Sequence, residues 1–307
     1  MSPVVTVASR AFSGNETLRS ELLAIFPRAK FNENGEAFAE EGLVDFLAGA
    51  EGAIVGIEPM TGRVLSGCPE LKIVSKFGVG LDNVDQAACK EQGIRIGWTG
   101  GVNRRCVSEL TLGFLLAAGH NMFKSAGEMR TGIWEKDGGH LLSGRTVGII
   151  GVGHVGKDLI QLLQPFNCRI LANDIIDQSS YYRDAGVEEV TKEQIFSEAD
   201  YVTVHTPLTE DTRNMIDAAA LSSMKPTAHL INAARGGIVD EAALKKALVD
   251  GRIAGASLDV FVEEPCTDLE LLGLPNLFAT PHIAGNAVES VLAMGRSAIG
   301  HLRKHFG

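Results

Sequence analysis

Residues 146–156 read Thr-Val-Gly-Ile-Ile-Gly-Val-Gly-His-Val-Gly. The strand-forming run Thr146 to Ile150 leads directly into the spacing GxGxxG, and the pattern from Val155 to Leu163 is helical. The spacing alone is weak, but between a strand and a helix each glycine has a physical task. Gly151 permits the tight turn, Gly153 lets the backbone approach a diphosphate, and Gly156 lets the helix pack on the strand. The helix N-terminus, with its unpaired N–H groups, then faces the phosphates. His154 and Val155 open that helix and join the candidate cofactor contacts. Asp174, 23 residues after Gly151, ends the next apolar run. A carboxylate there accepts hydrogen bonds from ribose hydroxyls and repels a 2'-phosphate. The stretch Asp174-Ile175-Ile176-Asp177 has no Arg, so the reading favours NAD over NADP.

Outward from this stretch, strand and helix patterns alternate in both directions. Before it come strands Val4–Ala8, Ala53–Ile57, Leu71–Ser75 and Ile94–Gly97, with helical pieces Glu16–Ile25, Gly42–Leu47 and Asp85–Gln92. After it come strands Arg169–Asn173, Tyr201–His205, Ala228–Asn232, Ala254–Asp259 and Asn276–Ala279. Helices 192–197, 217–222 and 241–250 fall between them, and a final helix runs from Gly285 to His301. Such alternation predicts parallel sheets, and 307 residues suggest two α/β units at roughly 150 residues each. One long helix is expected from Val107 to Arg130. It is apolar on more than one face, which suits either burial between domains or a subunit contact.

Lys and Arg number 28 against 38 Asp and Glu, a net charge of -10. That balance disfavours nucleic acid as a partner but leaves room for an anionic small substrate met by a local Arg. The apolar stretch near Leu110–Gly119 is far too short for a membrane span, and MSPVVTVASR has no signal-peptide core. Five dispersed cysteines (68, 89, 106, 168, 266) read as reduced cytoplasmic thiols. The eight histidines show no metal-ligand spacing, so no metal is expected.

Three strand ends carry polar residues in apolar surroundings: Asn232-Ala233-Ala234-Arg235-Gly236-Gly237, Asp259 to Pro265, and Thr280-Pro281-His282-Ile283-Ala284-Gly285. Ligands of open α/β sheets sit at the carboxyl ends of strands. An Arg, an acid and a His gathered there suit hydride transfer coupled to proton transfer. Arg binds a carboxylate and polarises a carbonyl. His exchanges the proton, and nicotinamide carries the hydride.

The chain resembles the D-isomer-specific 2-hydroxyacid dehydrogenases over nearly its whole length. The resemblance rests on Gly78-Val79-Gly80-Leu81-Asp82-Asn83-Val84-Asp85, the GxGxxG, His205-Thr206-Pro207-Leu208-Thr209, the stretch from Lys225 to Asp240, Asp259–Pro265 and Thr280–Gly285. It implies a flavodoxin-like substrate domain, residues 1–101 plus 286–307, around an inserted Rossmann NAD-binding domain, residues 102–285. It implies an active site in the cleft, closure around NAD, and a homodimer through the nucleotide domain. It implies that Arg235 binds substrate, that His282 is the acid/base, and that Glu264, not Glu263, is its partner. Asp259 would lie near the nicotinamide carboxamide. His205, Thr206, Pro207, Ala233 and Ala234 would line the cofactor groove. The Val79 and Gly80 amides would cradle the substrate carboxylate.

The substrate tail is less legible. Lys76 stands where many phosphoglycerate-type members have Arg, and Arg104 and Arg105 follow Gly-Gly-Val-Asn where relatives have small residues. Each is a candidate contact for a distal anion, which points to a 3-phosphoglycerate dehydrogenase-like enzyme, with a hydroxypyruvate/glyoxylate reductase as the alternative. A phosphite or formate dehydrogenase relative and a non-catalytic NAD(H)-sensing regulator are further alternatives. The chain ends just after its last helix, so no regulatory domain is expected beyond it.

Overall fold

The computed structural model describes residues 3–307. The chain divides into two compact units: the described residues up to Asn103 together with Ala287–Gly307, and Arg104–Asn286. The first unit begins β1 (Val5–Val7), α1 (Arg10–Ser13), α2 (Glu16–Ile25), β2 (Lys30–Phe31), α3 (Glu40–Leu47) and β3 (Gly52–Val55). It continues α4 (Gly62–Ser66), β4 (Ile73–Lys76), α5 (Gln86–Glu91) and β5 (Arg95–Gly97). Its five strands are parallel in the order β2-β1-β3-β4-β5, the flavodoxin-like order. Strands covered on both faces lose the period-two alternation, and every residue of β3 and β4 is buried. Side chains start the helices: Asn15 accepts the Leu18 N–H at 3.0 Å, and Asp85 the Ala88 N–H at 2.9 Å.

The second unit runs α6 (Arg104–Gly119), α7 (Met122–Arg130), β6 (Thr146–Ile150), α8 (His154–Leu163), β7 (Arg169–Asn173), α9 (Ser179–Ala185), β8 (Glu188–Glu189) and α10 (Lys192–Glu198). It then runs β9 (Tyr201–Val204), α11 (Ala218–Ser223), β10 (His229–Asn232), α12 (Glu241–Val249), β11 (Gly255–Leu258), α13 (Leu269–Leu272) and β12 (Leu277–Ala279). Its seven strands are parallel in the order β12-β11-β10-β9-β6-β7-β8. This is the Rossmann order with a seventh strand added at one edge.

The single helix expected over 107–130 is two helices. The chain turns at Asn121, whose φ is +51°, a left-handed conformation that Asn tolerates better than most residues. The reason is tertiary. The His140 N–H donates to the Gly119 carbonyl at 2.6 Å, and a Cβ on Gly119 would lie 2.8 Å from the His140 carbonyl oxygen. A returning strand of chain therefore crosses the end of α6. Val107, Ser108, Thr111, Phe114 and Leu115 are buried on α6, and the helix packs on α8 within this unit. α7 buries nothing, and Met122, Met129, Ile133, Trp134 and Leu141 are exposed around it.

α14 (Val288–Phe306) returns to the first unit. It buries Met294, Ala298, Ile299 and Leu302 with Val5, Val7, Phe12, Leu18, Ile54 and Ile73. Ser75 Oγ donates to the Ala298 carbonyl at 2.8 Å, tying the helix to β4. Among the described residues no helix is long and apolar enough to cross a membrane.

Two half-buried imidazoles stand at strand ends of the second sheet. Burial pushes His229, on β10, and His205, just after β9, down to about 4. His229 Nε2 lies 3.1 Å from Ser257 Oγ, and its ring fills the space above Gly255. From pH 6.5 down to about 4 the unfolded chain takes up protons that these folded rings refuse, so stability falls as pH falls. The urea midpoint is expected to drop steadily across that window, and less steeply in His229→Asn. Equal slopes in the two proteins would contradict the assignment of His229.

Candidate active site

The glycines after β6 divide the labour as their geometry requires. Gly151 has φ +94°, and a Cβ on it would lie 2.7 Å from the His205 carbonyl and 2.9 Å from Thr206 Cγ2. A Cβ on Gly156 would lie 2.3 Å from the Gly151 carbonyl oxygen, so α8 and the turn touch backbone to backbone. Gly153 is different: nothing lies within 4 Å of the position a Cβ would take. It caps α8 with no side-chain hydrogen bond, so the N–H groups of the first helical turn face open space. Thr206 Oγ1, beside the same turn, is buried without a hydrogen-bond partner. An open cradle, a free helix N-terminus and an orphaned hydroxyl fit a dinucleotide diphosphate.

Asp174 ends β7 as the spacing requires, and it also braces the turn. Its carboxylate accepts the Val152 N–H at 2.6 Å and the Ile176 N–H at 2.9 Å. His154 is exposed at the first residue of α8. His205 stays neutral at ordinary pH, with Nε2 3.1 Å from Thr203 Oγ1, so it brings no positive charge to the phosphates. Val155 packs with Val107, Leu110, Ala233 and Ala284 in one small apolar cluster. That cluster ties the cofactor helix to the loops that follow β10 and β12.

β10, β11 and β12 are neighbours in the sheet, so the loops leaving their carboxyl ends are adjacent. Asp259, fully buried after β11, organises them. Its N–H donates to the Asn232 carbonyl at 2.9 Å, and its carbonyl accepts the His282 N–H at 2.8 Å. Its carboxylate accepts from Thr280 Oγ1 at 2.5 Å and from the Ile283 and Ala284 N–H groups, each at 2.8 Å. The expectation that Asp259 lies beside the nicotinamide treats it as a cofactor contact. The structure gives both of its carboxylate oxygens to the loop that carries His282.

That loop holds His282 at φ +52°, a left-handed conformation for a residue with a Cβ. His282 Nδ1 lies 2.8 Å from Glu264 Oε2, while Glu264 Oε1 accepts the Phe261 N–H at 3.1 Å. A carboxylate at Nδ1 places a proton there and leaves Nε2 to exchange one with a reactant. Glu263, its neighbour in sequence, makes no such contact among the described residues. Beside the pair lies a cavity of about 500 Å³, whose wall includes Phe261, Cys266, Leu272 and Pro281.

Arg235 sits half-buried on the loop after β10. Asn232 shapes that loop: its Nδ2 donates to the Arg235 carbonyl at 2.8 Å, and its Oδ1 accepts the Ala234 N–H at 3.0 Å. The next residue must be glycine, because a Cβ on Gly236 would lie 1.8 Å from the Phe261 carbonyl oxygen. The Arg235 loop is thus pressed against the Glu264 loop. Arg235 Nη1 donates to the Ala234 carbonyl at 2.6 Å.

The candidate tail contacts are divided between the two units. Lys76 is buried and donates to the Gly56 carbonyl and to Asn83 Oδ1, so it is no solvent-facing lysine. Val79 and Gly80 follow it in the first unit, and Trp98 Nε1 donates to the Val79 carbonyl at 2.7 Å. In the second unit Arg105 Nη2 lies 3.1 Å from Asp158 Oδ1, with Arg104 Nε at 3.9 Å. Sequence reasoning overlooked Asp158 and, while quoting Asn83 and Thr280 within their motifs, gave neither a role. An acid on the otherwise apolar face of α8 is the one signal that pointed to Asp158. Among the described residues no group of three or more His, Cys, Asp or Glu is placed to hold a metal.

The open space at Gly153 generates a test. The added Cβ of Gly153→Ala meets no protein atom within 4 Å, so the thermal midpoint is expected to stay within about 2 °C, while NADH binding weakens by at least roughly tenfold. Fluorescence titration with NADH reads the second effect, and unchanged affinity would remove Gly153 from the cofactor site.

A profile of the D-isomer-specific 2-hydroxyacid dehydrogenase NAD-binding domain matches residues 112–284. A hydroxypyruvate reductase of Thermotoga maritima is 35% identical over 253 residues, covering 81% of this chain and 82% of its own. A glycerate dehydrogenase of Methylorubrum extorquens is 37% identical over 277 residues, covering 87% and 85%. A D-3-phosphoglycerate dehydrogenase of Mycobacterium tuberculosis is 36% identical over 230 residues, 74% of this chain but 44% of that protein. The crystal structure of a 2-hydroxyacid dehydrogenase from Ketogulonicigenium vulgare superposes with a TM-score of 0.85 at 27% identity, covering 99% of this chain and 95% of that one. With the cofactor cradle and the site loops built as described, the chain belongs to the D-isomer-specific 2-hydroxyacid dehydrogenase family and is an NAD-dependent oxidoreductase acting between 2-hydroxy acids and 2-keto acids.

Proposed function

We propose that this enzyme is a hydroxypyruvate/glyoxylate reductase, handling short 2-keto acids without a phosphorylated tail. One observation carries the choice. Of the three cations that the sequence offered to a distal phosphate, Lys76 is buried against Gly56 and Asn83, and the exposed Arg104 and Arg105 lie 3.9 and 3.1 Å from Asp158. The similarity to a hydroxypyruvate reductase and a glycerate dehydrogenase, both covered over more than four-fifths of their length, supports the same reading. The 3-phosphoglycerate dehydrogenase-like reading suggested by the motifs therefore yields to its alternative.

NAD(H), when bound, supplies the hydride. Arg235 holds the substrate carboxylate and polarises the keto oxygen. His282 gives its Nε2 proton to the oxygen as an alkoxide develops, and takes it back in the oxidation direction. Glu264 keeps the ring in that orientation through its contact with Nδ1. The Val79 and Gly80 amides receive the substrate carboxylate. Thr206, Pro207, Ala233 and Ala234 border the cofactor. A second copy of the chain docks on the exposed apolar residues around α7, with Met129 and Trp134 at 54% and 72% exposure. The free cysteines suit a reducing, cytoplasmic setting.

Steady-state assays with NADH are expected to show higher kcat/KM for hydroxypyruvate and glyoxylate than for 3-phosphohydroxypyruvate. The reverse order would defeat the substrate assignment. His282→Ala is expected to lower kcat at least about a hundredfold and leave NADH binding intact, because it removes the proton donor alone. Glu264→Gln is expected to cost less, roughly tenfold, because the amide still touches the ring.

A further inference from the structure

The carboxyl ends of β3 and β4 in the first unit carry a knot of polar groups for which the proposed chemistry has no step. Lys76, the last residue of β4, is 7% exposed. Its amine donates to the Gly56 carbonyl and, at 2.5 Å, to Asn83 Oδ1. Asn83 Nδ2 donates onward to the Gly56 carbonyl at 3.1 Å and the Glu58 carbonyl at 2.6 Å. Glu58, 6% exposed, accepts the Gly56 N–H at 2.6 Å. The Asn83 carbonyl accepts the Met60 N–H at 2.8 Å. Segments 56–60 and 76–83 are therefore one hydrogen-bonded body.

Gly78-Val79-Gly80 runs between the two halves of this knot. Gly78 has φ +136°, open to glycine alone, and a Cβ on it would lie 3.3 Å from Lys76 Cε. The far side of the turn is held by Trp98 through the Val79 carbonyl. A lysine amine is costly to bury and persists only where acceptors meet it. A residue needed only for packing at the end of β4 would be apolar, like Ile73 and Val74 before it.

We propose that Lys76 is a positioning residue that sets substrate specificity. Through Gly56 and Asn83 it fixes the Gly78–Gly80 turn in the shape that offers its amides to a carboxylate, and with its amine engaged there it lends no cation to a phosphorylated tail. This rests on the reading of Val79 and Gly80 as the carboxylate contact. Lys76 touches no reacting atom in this scheme. It acts through the turn, and Asn83 acts with it.

The test uses full-length Lys76→Met, Asn83→Ala and the double variant. Each single variant is expected to raise KM for glyoxylate at least about tenfold, with kcat within roughly threefold and KM for NADH within about twofold. The double variant is expected to be no more than about twofold worse than either single one, because both act through one knot. KM for glyoxylate within about twofold of wild type in both single variants would overturn the proposal. So would a selective loss of 3-phosphohydroxypyruvate turnover in Lys76→Met, which would put the amine on the tail. If Lys76→Met does not fold, Asn83→Ala decides alone, with NADH fluorescence titration confirming an intact second unit. Calorimetric titration of the enzyme–NADH complex with oxalate reads the same turn without turnover. Affinity at least about tenfold weaker in the variants is expected, and equal affinity would overturn the proposal. A wild type that binds oxalate yet reduces neither hydroxypyruvate nor glyoxylate would sink the substrate reading and leave this comparison standing.

Discussion

The Asp259 carboxylate is the constraint on which the chemical site depends. A buried carboxylate without donors is strongly unfavourable, and here three donors from residues 280–284 meet it. The same residue takes a backbone bond from His282 and gives one to Asn232. One residue, through backbone and side chain, thereby ties the ends of β10, β11 and β12 together. The left-handed backbone of His282 is tolerable because this network over-determines it. The imidazole is aimed by that backbone first and by Glu264 second.

Small residues complete what Asp259 begins. Ala233, Ala284 and Val155 meet Val107 and Leu110 in one small apolar cluster, and Gly236 lets the Arg235 loop lie directly on the Phe261 backbone. Loops are otherwise the mobile part of an α/β fold. Here each is fastened near the sheet by a bond or contact less than one residue long. The cofactor turn belongs to the same body, since Gly151 abuts His205 and Gly156 abuts Gly151.

The charges of the chain are arranged by the same economy of partners. With acids outnumbering bases by ten, the chain as a whole repels a small anion, and Lys76, Arg104 and Arg105 are engaged by neighbours in their own units. Asp158 on α8 is buried between Arg105 and the Ser108 hydroxyl, which fixes the start of α6 to the helix that follows the cofactor turn. Charge counted along the sequence thus differs from charge available to a ligand.

The sequence by itself determined the alternation of strand and helix, the cofactor turn and the three loops that bear Arg235, Glu264 and His282. Each of these is written in local spacing, where glycine, capping residues and apolar runs act within a few residues. Only the tertiary structure decided the break at Asn121, because its cause is a segment some twenty residues away that crosses Gly119. The same holds for the partners of the Asp259 carboxylate, Thr280, Ile283 and Ala284, which lie more than twenty residues further along the chain. It holds equally for Lys76, whose partners are Gly56, at the end of β3, and Asn83, in the loop after β4. A side chain's chemistry is fixed by its type, but what it bonds is settled by sheet order and close packing, which join residues far apart in sequence.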